Sequence, residues 1–252
     1  MDSQVQIEQH GAVLVIAINR PQQRNAVTHA VSLAIAGALD RLDADPALRV
    51  GIITGSSFCA GMDLKAFADG ERPELEGRGF AGITEAPPKK PVIAAVEGFA
   101  LAGGCELALA CDLIIAAETA WFGLPEVARG LVAGSGGLVR LPRRIPEAIA
   151  LEYALTGARM DAATAHRWGL VNRITPEGGA LEGALALAAA ITANAPLSTA
   201  MTKRIIRESR EWPEAEIWNR QRPLVDRVLA SDDAAEGARA FAQKRPAQWT
   251  GR

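Results

Sequence analysis

The sequence lacks the features that mark several large classes of protein. No window of about 18 consecutive apolar residues occurs, so we expect no membrane-spanning helix. Residues 1–5 lack the basic stretch and apolar run of a secretory signal, so we expect none. Lysine plus arginine number 27 and aspartate plus glutamate 29, for a formal charge of −2, which does not indicate general nucleic-acid binding.

The patterns of disulfide frameworks, metal sites and dinucleotide sites are also missing. Cys59, Cys105 and Cys111 lie among small apolar residues without Cys-x-x-Cys spacing, and the three histidines are scattered. We therefore expect reduced cysteines in the core of a cytoplasmic protein, and no metal site. No Gly-x-Gly-x-x-Gly follows the first predicted strand–helix turn, which argues against a dinucleotide cofactor.

What is present predicts an α/β core. The chain has 252 residues, of which 49% are hydrophobic and 22% charged, so it can bury a large core. Short apolar runs at 50–54, 92–96 and 113–116 predict buried strands, and the first two lead through glycine-containing loops into helical sequence. This alternation predicts an α/β fold whose strands are buried on both faces.

The flanking segments complete the predicted layout. We expect a hairpin over 5–18 around His10-Gly11, and a helix capped by Thr28 that runs to about Leu42. We also expect a long mobile surface loop at 70–91, helices at 146–156, 161–168, 180–193 and 196–210, a strand signal at 171–174, and a helical stretch at 213–243 broken near Ser231-Asp232. This predicts a core of residues 1–195 and a helical C-terminal region of residues 196–252.

Two loops of small residues each follow a buried strand and precede a predicted helix, at 56–64 and 98–107. Small residues allow close backbone approach, and a helix start leaves N–H groups without partners. Two such loops side by side could donate two N–H groups to one oxygen, as an oxyanion hole requires. The alternative is two tight turns packed for steric reasons.

Two glutamates occur in apolar surroundings. Glu106 lies just inside an apolar helical segment, and Glu126 lies in a short turn after Pro125. Burial raises a carboxyl pKa toward working pH, which suits general acid/base chemistry. A satisfied structural glutamate at 106 and an ordinary helix-start glutamate at 126 are the alternatives.

These segments together resemble the enoyl-CoA hydratase/isomerase (crotonase) family along nearly the whole chain. The motifs that carry the resemblance are Phe58-Cys59-Ala60-Gly61-Met62-Asp63-Leu64, the run from Gly98 to Asp112, Phe122-Gly123-Leu124-Pro125-Glu126, Gly134-Ser135-Gly136-Gly137 and Trp168-Gly169-Leu170-Val171-Asn172. The segments Met62-Asp63-Leu64-Lys65-Ala66 and Gly79-Phe80-Ala81-Gly82 and the ending from Glu236 to Arg252 resemble carnitinyl-CoA dehydratase-like members.

The resemblance implies a spiral of strand–strand–helix repeats with a helical C-terminal region that assembles trimers or paired trimers. It implies an oxyanion hole made by the N–H groups of Met62 and Gly103, with Glu106 and Glu126 as the paired acid/base carboxylates. Coenzyme A would be part of the substrate rather than a cofactor. The residues that the family pattern places near coenzyme A are Arg24, Ala60, Asp63, Leu64, Lys65 and Lys244.

Some residues depart from the family pattern. Ala102 replaces a common third glycine, Glu97 a usual asparagine, Leu124 a common glutamine and Met62 a common alanine. Leu124 and Met62 could reshape the acyl pocket. The expected reaction is hydration of a 2-enoyl-CoA thioester. The alternatives are another crotonase reaction on a specialised acyl-CoA, such as carnitinyl-CoA dehydration, isomerisation or thioester hydrolysis, and a non-catalytic acyl-CoA-binding protein.

Overall fold

A computed structural model describes residues 3–252; Met1 and Asp2, where part of the signal-peptide prediction falls, lie outside the described residues. The strands are β1 (Val5–His10), β2 (Val13–Ile18), β3 (Val50–Gly55), β4 (Glu74–Leu75), β5 (Gly79–Phe80), β6 (Val92–Val96), β7 (Phe99–Leu101), β8 (Leu113–Ala117), β9 (Trp121–Gly123), β10 (Met160–Asp161) and β11 (Arg173–Thr175). The helices are α1 (His29–Ala44), α2 (Leu64–Ala68), α3 (Gly103–Ala110), α4 (Gly137–Arg140), α5 (Glu147–Thr156), α6 (Ala162–Arg167), α7 (Ala180–Thr192), α8 (Pro196–Glu208), α9 (Ile217–Leu229) and α10 (Asp232–Ala242).

The strands form one large sheet and two small ones. The large sheet has the order β1-β2-β3-β6-β8-β11, in which β1 and β2 form an antiparallel hairpin and the remaining neighbours are parallel. A second sheet has the order β10-β9-β7, and β4 pairs with β5 as a separate hairpin. The hairpin predicted over residues 5–18 and the buried parallel strands are therefore confirmed.

The chain repeats one pattern of large-sheet strand, short strand and helical turn. Strand β6 leads to β7 and α3, and β8 leads to β9 and a 3₁₀ turn over Pro125–Arg129. The first turn of this kind follows β3, where Cys59 forms an isolated parallel bridge with Ala100 before α2 begins. The predicted spiral of strand–strand–helix repeats is confirmed, and it brings the carboxyl ends of β3, β6 and β8 to one edge.

Side chains from both faces of the large sheet are buried, as predicted. On one face the sheet packs against α7 through a cluster that includes Ile52, Ile93 and Ala184. On the other it packs against α1 and α3, whose Ile35 and Leu107 are fully buried. Each such aliphatic side chain contributes about 1.5–3 kcal/mol on full burial, so the sheet is a rigid base for the loops at its edge.

The predicted helix limits are close to the observed ones. Helix α1 begins after Thr28, whose Oγ1 accepts a hydrogen bond from the Val31 N–H at 3.3 Å, and it ends at Ala44 rather than Leu42. Helices α5 to α8 match the four predicted after Pro146, and the gap between α9 and α10 lies at the predicted break. The strand signal at 171–174 is displaced to Arg173–Thr175, where β11 pairs with β8.

The prediction of a surface loop over residues 70–91 is wrong for its centre. Residues 74–80 form the hairpin β4–β5, and Phe80, Ala81 and Ile83 are at most 2% exposed. The sequence misleads here because its many glycines, prolines and charges hide a short apolar group. That group becomes buried through contacts with α1, which is distant along the chain.

Asp112 attaches helix α8 to the core. Its carboxylate accepts from Lys203 Nζ and Arg207 Nη2, each at 2.7 Å, and from the Val92 N–H at 2.8 Å. Lys203 also donates to the carbonyls of Pro88 and Lys90. This anchoring extends the core into the region beyond residue 195, so the predicted division at that position stays a prediction.

No single helix among residues 3–252 has the length and hydropathy of a membrane span; the segments Ala180–Thr192 and Pro196–Glu211 reach them only together, across a bend of 108°.

The three cysteines are free and buried, as predicted. Burial raises the pKa of each of the Cys59, Cys105 and Cys111 thiols to about 12, so all three remain neutral thiols in the core.

Candidate active site

The two small-residue loops lie side by side at the edge of the sheet. The Cys59 N–H donates to the Phe99 carbonyl and the Leu101 N–H donates to the Cys59 carbonyl, each at 3.0 Å. A β-carbon on Gly104 would overlap the Cys59 carbonyl, so glycine is required for this approach. The close packing requires the small residues and also brings two helix starts together.

Met62 and Gly103 present N–H groups at this junction. Gly103 is the first residue of α3, where an N–H has no partner within the helix. Within residues 3–252, neither the Met62 N–H nor the Gly103 N–H donates a hydrogen bond to the protein. A β-carbon on Gly61 would lie 3.1 Å from the Gly103 nitrogen, so the two loops are in contact there.

Ala102 has an unusual backbone conformation next to Gly103. Its φ is 49° and its ψ is −126°, a combination that favours glycine. Its N–H donates to the Gly123 carbonyl at 2.9 Å, and its carbonyl accepts from the Glu106 N–H at 3.1 Å. The peptide group that joins residues 102 and 103 thus carries the Gly103 N–H, and its carbonyl oxygen accepts a hydrogen bond from the Glu106 N–H.

Glu106 is buried and held by main-chain donors. Its side chain is 3% exposed, and Oε1 accepts from the Ser135 N–H at 2.7 Å and the Gly137 N–H at 2.9 Å. Burial raises the pKa of Glu106; the two N–H donors oppose that rise, and the charge of Glu126 adds to it. The carboxyl group therefore has a fixed direction and an increased proton affinity.

Glu126 lies in the 3₁₀ turn that begins at Pro125. Its Oε2 is buried and has no hydrogen-bond partner within residues 3–252. Burial raises the pKa of Glu126, opposed by its own backbone N–H and by the charge of Arg129. A buried carboxyl oxygen without a partner is costly, so this oxygen is suited to bind a proton or a polar ligand atom.

Leu124 links Glu106 to an apolar cavity beside Glu126. A β-carbon on Gly137 would lie 3.0 Å from Glu106 Cγ and 3.1 Å from Leu124 Cδ2, so the two side chains flank the same glycine. The cavity has a volume of about 530 Å³. Its lining consists of Leu124, Glu126, Val127, Val132, Ala133, Leu138, Leu141, Pro142, Glu147, Ala150, Leu151, Ala154 and Leu155.

Most of the residues predicted near coenzyme A lie together beside the first loop. The Ala60 N–H donates to the Arg24 carbonyl at 3.1 Å, and the side chains of Arg24, Leu64 and Lys65 are exposed. Asp63 caps α2 by accepting from the Lys65 and Ala66 N–H groups and pairs with Arg20 Nη1 at 3.0 Å. Burial acts to raise the pKa of Asp63, but these contacts outweigh it and hold the pKa below its usual value. The Asp63 carboxylate therefore has a structural role, as a helix cap and as the partner of Arg20.

Lys244 is not joined to this group. It is exposed, follows α10 with a φ of 53°, and makes no side-chain hydrogen bond or ion pair to any of residues 3–252. Its predicted place near coenzyme A stays a prediction.

The residues that orient Glu106 were not predicted. Ser135 and Gly137 occur in a motif that carries the family resemblance, but nothing in their residue types shows that their N–H groups face Glu106. Arg140 was also missed: it donates to the Ser135 and Thr84 carbonyls and so ties this loop to the segment after β5. Glu97 accepts from the Gly178 and Ala180 N–H groups, so it holds the start of α7.

Comparison with known proteins decides the family. The family model for enoyl-CoA hydratase/isomerase matches residues 8–252. The chain belongs to the enoyl-CoA hydratase/isomerase family. The predicted membership is confirmed.

Members of this family include close structural relatives of the chain. An enoyl-CoA hydratase from Mycobacterium tuberculosis H37Rv is 57% identical with a TM-score of 0.98, and each chain is covered completely. A carnitinyl-CoA hydratase from Mycobacterium avium is 46% identical with a TM-score of 0.80, again over both full chains. The carnitinyl-CoA dehydratase of Proteus mirabilis is 44% identical over the whole of both sequences.

Proposed function

We propose that this chain is an enoyl-CoA hydratase, which adds water reversibly to the C2=C3 double bond of a 2-enoyl-CoA thioester. The observation that carries the proposal is the pairing of two carboxyl groups with different environments. Glu106 is held by two N–H donors, whereas Glu126 has a buried oxygen without a partner within residues 3–252. Burial raises the pKa of both carboxyl groups, which increases their affinity for the proton that general acid/base chemistry transfers.

In this mechanism the two carboxyl groups hold one water molecule. One carboxyl group takes a proton from the water while the water oxygen bonds to C3 of the substrate. The electrons of the C2=C3 double bond shift toward the thioester carbonyl, whose oxygen gains negative charge. The enolate then takes up a proton at C2 from the other carboxyl group, and the thioester carbonyl forms again. The two glutamates titrate as a pair, so the resting proton belongs to the pair rather than to either residue.

The N–H groups of Met62 and Gly103 supply the oxyanion hole in this proposal. They lie at the contact between the two loops, and neither donates to an acceptor in the described part of the chain. Negative charge develops on the thioester oxygen during water addition, and fixed donors stabilise it more in the transition state than in the substrate. Glu106 and the Gly103 N–H both belong to α3, so their separation is set by one short helix.

The cavity beside Glu126 favours an apolar acyl chain. Its volume of about 530 Å³ is typical of small-molecule sites, and aliphatic side chains form most of its wall. A trimethylammonium group is usually recognised by aromatic rings, and none of the cavity-lining residues is aromatic. This supports a simple 2-enoyl-CoA over crotonobetainyl-CoA as the substrate. The relatives include proteins named enoyl-CoA hydratase and proteins named carnitinyl-CoA dehydratase.

The coenzyme A moiety is assigned to the exposed group beside the first loop. Arg24 and Lys65 supply positive charge for phosphates, and the backbone around Ala60, Asp63 and Leu64 faces the adenine. Leu64 is 59% exposed, as an apolar side chain that contacts a ligand would be before binding. No separate cofactor or metal ion is part of this proposal.

The helical C-terminal region is assigned to subunit contacts in a trimer or a pair of trimers. Large apolar side chains on α8, α9 and α10 are exposed: Ile206, Trp218, Leu229 and Phe241, of which Phe241 is 88% exposed. Subunit association would cover such exposed apolar side chains, and we assign these four to that contact. We expect sedimentation of the purified protein to give a mass that is a multiple of three chains.

We also propose that the protein is cytoplasmic.

The test is an absorbance assay for loss of the conjugated enoyl thioester. The panel holds crotonyl-CoA, a medium-chain enoyl-CoA and crotonobetainyl-CoA. We expect turnover of the first two and little of the third. Preferred turnover of crotonobetainyl-CoA would transfer the proposal to the carnitinyl-CoA dehydratase type. Tight thioester binding without hydration of any member would favour another crotonase reaction.

A further inference from the structure

Phe80 contacts the start of α3 although it lies outside both small-residue loops. A β-carbon on Gly103 would lie 2.6 Å from Phe80 Cζ and 2.8 Å from Phe80 Cε1, and those ring atoms are its nearest neighbours. Phe80 is 2% exposed, so the ring is packed on its other sides as well. The edge of the ring therefore abuts Gly103, whose nitrogen lies at the contact between the two loops.

The ring is fixed by the hairpin that carries it. Ser32 Oγ on α1 donates to the Pro73 carbonyl at 2.5 Å, and Arg78 Nη1 pairs with Asp40 Oδ1, also on α1, at 2.6 Å. Gly82 packs so closely on α1 that a β-carbon there would lie 2.7 Å from the Ser32 carbonyl. Helix α1 thus sets the position of Phe80 independently of the loops.

We propose that Phe80 is a positioning residue that holds the Gly103 N–H in the direction required of an oxyanion donor. This inference rests on the function proposed above. Gly103 and Gly104 lack side chains that would restrict their backbone, so neighbouring atoms must hold the turn in place. The Ala102 N–H bond to the Gly123 carbonyl holds the turn at residue 102, and the Phe80 ring packs against Gly103 itself. Preorganised donors lose effect when they move, and a displacement of about 1 Å can cost about 10²-fold in rate.

The first experiment compares Phe80→Ala with Ile83→Ala. Ile83 is fully buried in the same segment, but none of the atoms nearest to the β-carbon position of Gly103 belongs to it. Both variants remove a buried side chain and should lower the melting temperature. Only Phe80→Ala should lower kcat for crotonyl-CoA hydration, by about ten- to a hundredfold, with KM little changed. Phe80→Leu, which keeps most of the volume, should recover part of that loss.

The second experiment tests the contact itself. Gly103→Ala should be nearly inactive because its methyl group meets the ring. The double variant Phe80→Ala with Gly103→Ala should be more active than Gly103→Ala alone, since the ring no longer opposes the methyl group.

Several outcomes would overturn the proposal. A kcat for Phe80→Ala equal to that of Ile83→Ala, or a double variant no better than Gly103→Ala, would remove the role of Phe80. Glu106→Gln and Glu126→Gln distinguish a failure of the Phe80 role from a failure of the proposed hydratase function. If both glutamine variants lose turnover and Phe80→Ala keeps a normal kcat, the role of Phe80 alone is refuted. If both glutamine variants keep wild-type turnover, the hydratase function is refuted, and the role of Phe80 with it.

Discussion

The surroundings of Glu106 and those of Glu126 differ in how the protein satisfies a carboxyl group. Glu106 is enclosed, and its side chain accepts two hydrogen bonds from residues 3–252, both from the main-chain N–H groups of Ser135 and Gly137. Glu126 lies at the wall of an apolar cavity, and its Oε2 has no partner within residues 3–252. The fold thus fixes the direction of one carboxyl group and leaves a buried oxygen of the other without a hydrogen-bond partner among the described residues.

The largest expected effect comes from removing either carboxyl group. Glu106→Gln and Glu126→Gln should each lower turnover of enoyl-CoA by about 10²–10⁴-fold, because a neutral amide cannot accept or deliver the proton. Binding of a CoA thioester should be largely retained, since the groups assigned to coenzyme A lie in another loop. Turnover and titration of the thioester would be measured in parallel. Wild-type turnover in either variant would exclude that residue from the chemistry.

A substitution at Gly137, which packs against the Glu106 side chain, should have a smaller effect on turnover. A β-carbon on Gly137 would lie 3.0 Å from Glu106 Cγ, so Gly137→Ala should turn the carboxylate away from its two donors. We expect a loss of turnover of about ten- to a hundredfold, as for a misplaced catalytic group.

Gly134→Ala is the matched control for that loop. Among residues 3–252, a β-carbon on Gly134 would have just the Val132 carbonyl oxygen within 4 Å, at 3.8 Å, so turnover should be unchanged. Equal losses in the two variants would show that the loop needs glycine for flexibility rather than for room beside Glu106.

The same contrast explains how much of the site could be predicted. Glu106 and Glu126 could be singled out because a carboxyl group among apolar neighbours is unusual along a sequence. The donors Ser135 and Gly137 could not, because a main-chain N–H gives no signal in residue type. Phe80 was hidden for a different reason: its burial depends on α1 and α3, and its neighbours Gly79 and Gly82 suggested an exposed turn. The repeating strand–helix order was predictable because apolar runs and glycine loops are local signals.

The dependence of stability on pH should differ between the two glutamates. Burial raises the pKa of Glu126 above its ordinary value of 4.5, so its favourable contribution is complete below pH 4.5 and is lost as pH rises through the raised value. Glutamine does not titrate. Glu126→Gln should therefore raise the melting temperature relative to wild type at pH 8 and change it little at pH 4.

Glu106→Gln should show less of this gain. The two N–H donors favour the charged form of Glu106 and oppose the rise in its pKa, and glutamine replaces only part of that interaction. Thermal unfolding of wild type and both variants at the two pH values would measure the difference. A gain in Glu126→Gln that is the same at pH 4 and pH 8 would show that desolvation of the charge is not its cause.

The smallest expected effect concerns the backbone before Glu106. Ala102 has a φ of 49° and a ψ of −126°, and such a conformation costs an alanine about 1–3 kcal/mol. Ala102→Gly removes that strain but gives the unfolded chain more freedom, which offsets about 0.4–1 kcal/mol. The net gain of about 1 kcal/mol should raise the melting temperature by about 2–4 °C. Turnover should be unchanged, since Phe80 and the N–H bond to Gly123 still hold the turn. A stabilised variant with a lower kcat would instead show that the methyl group of Ala102 itself restricts the peptide that joins Gly103 to Glu106.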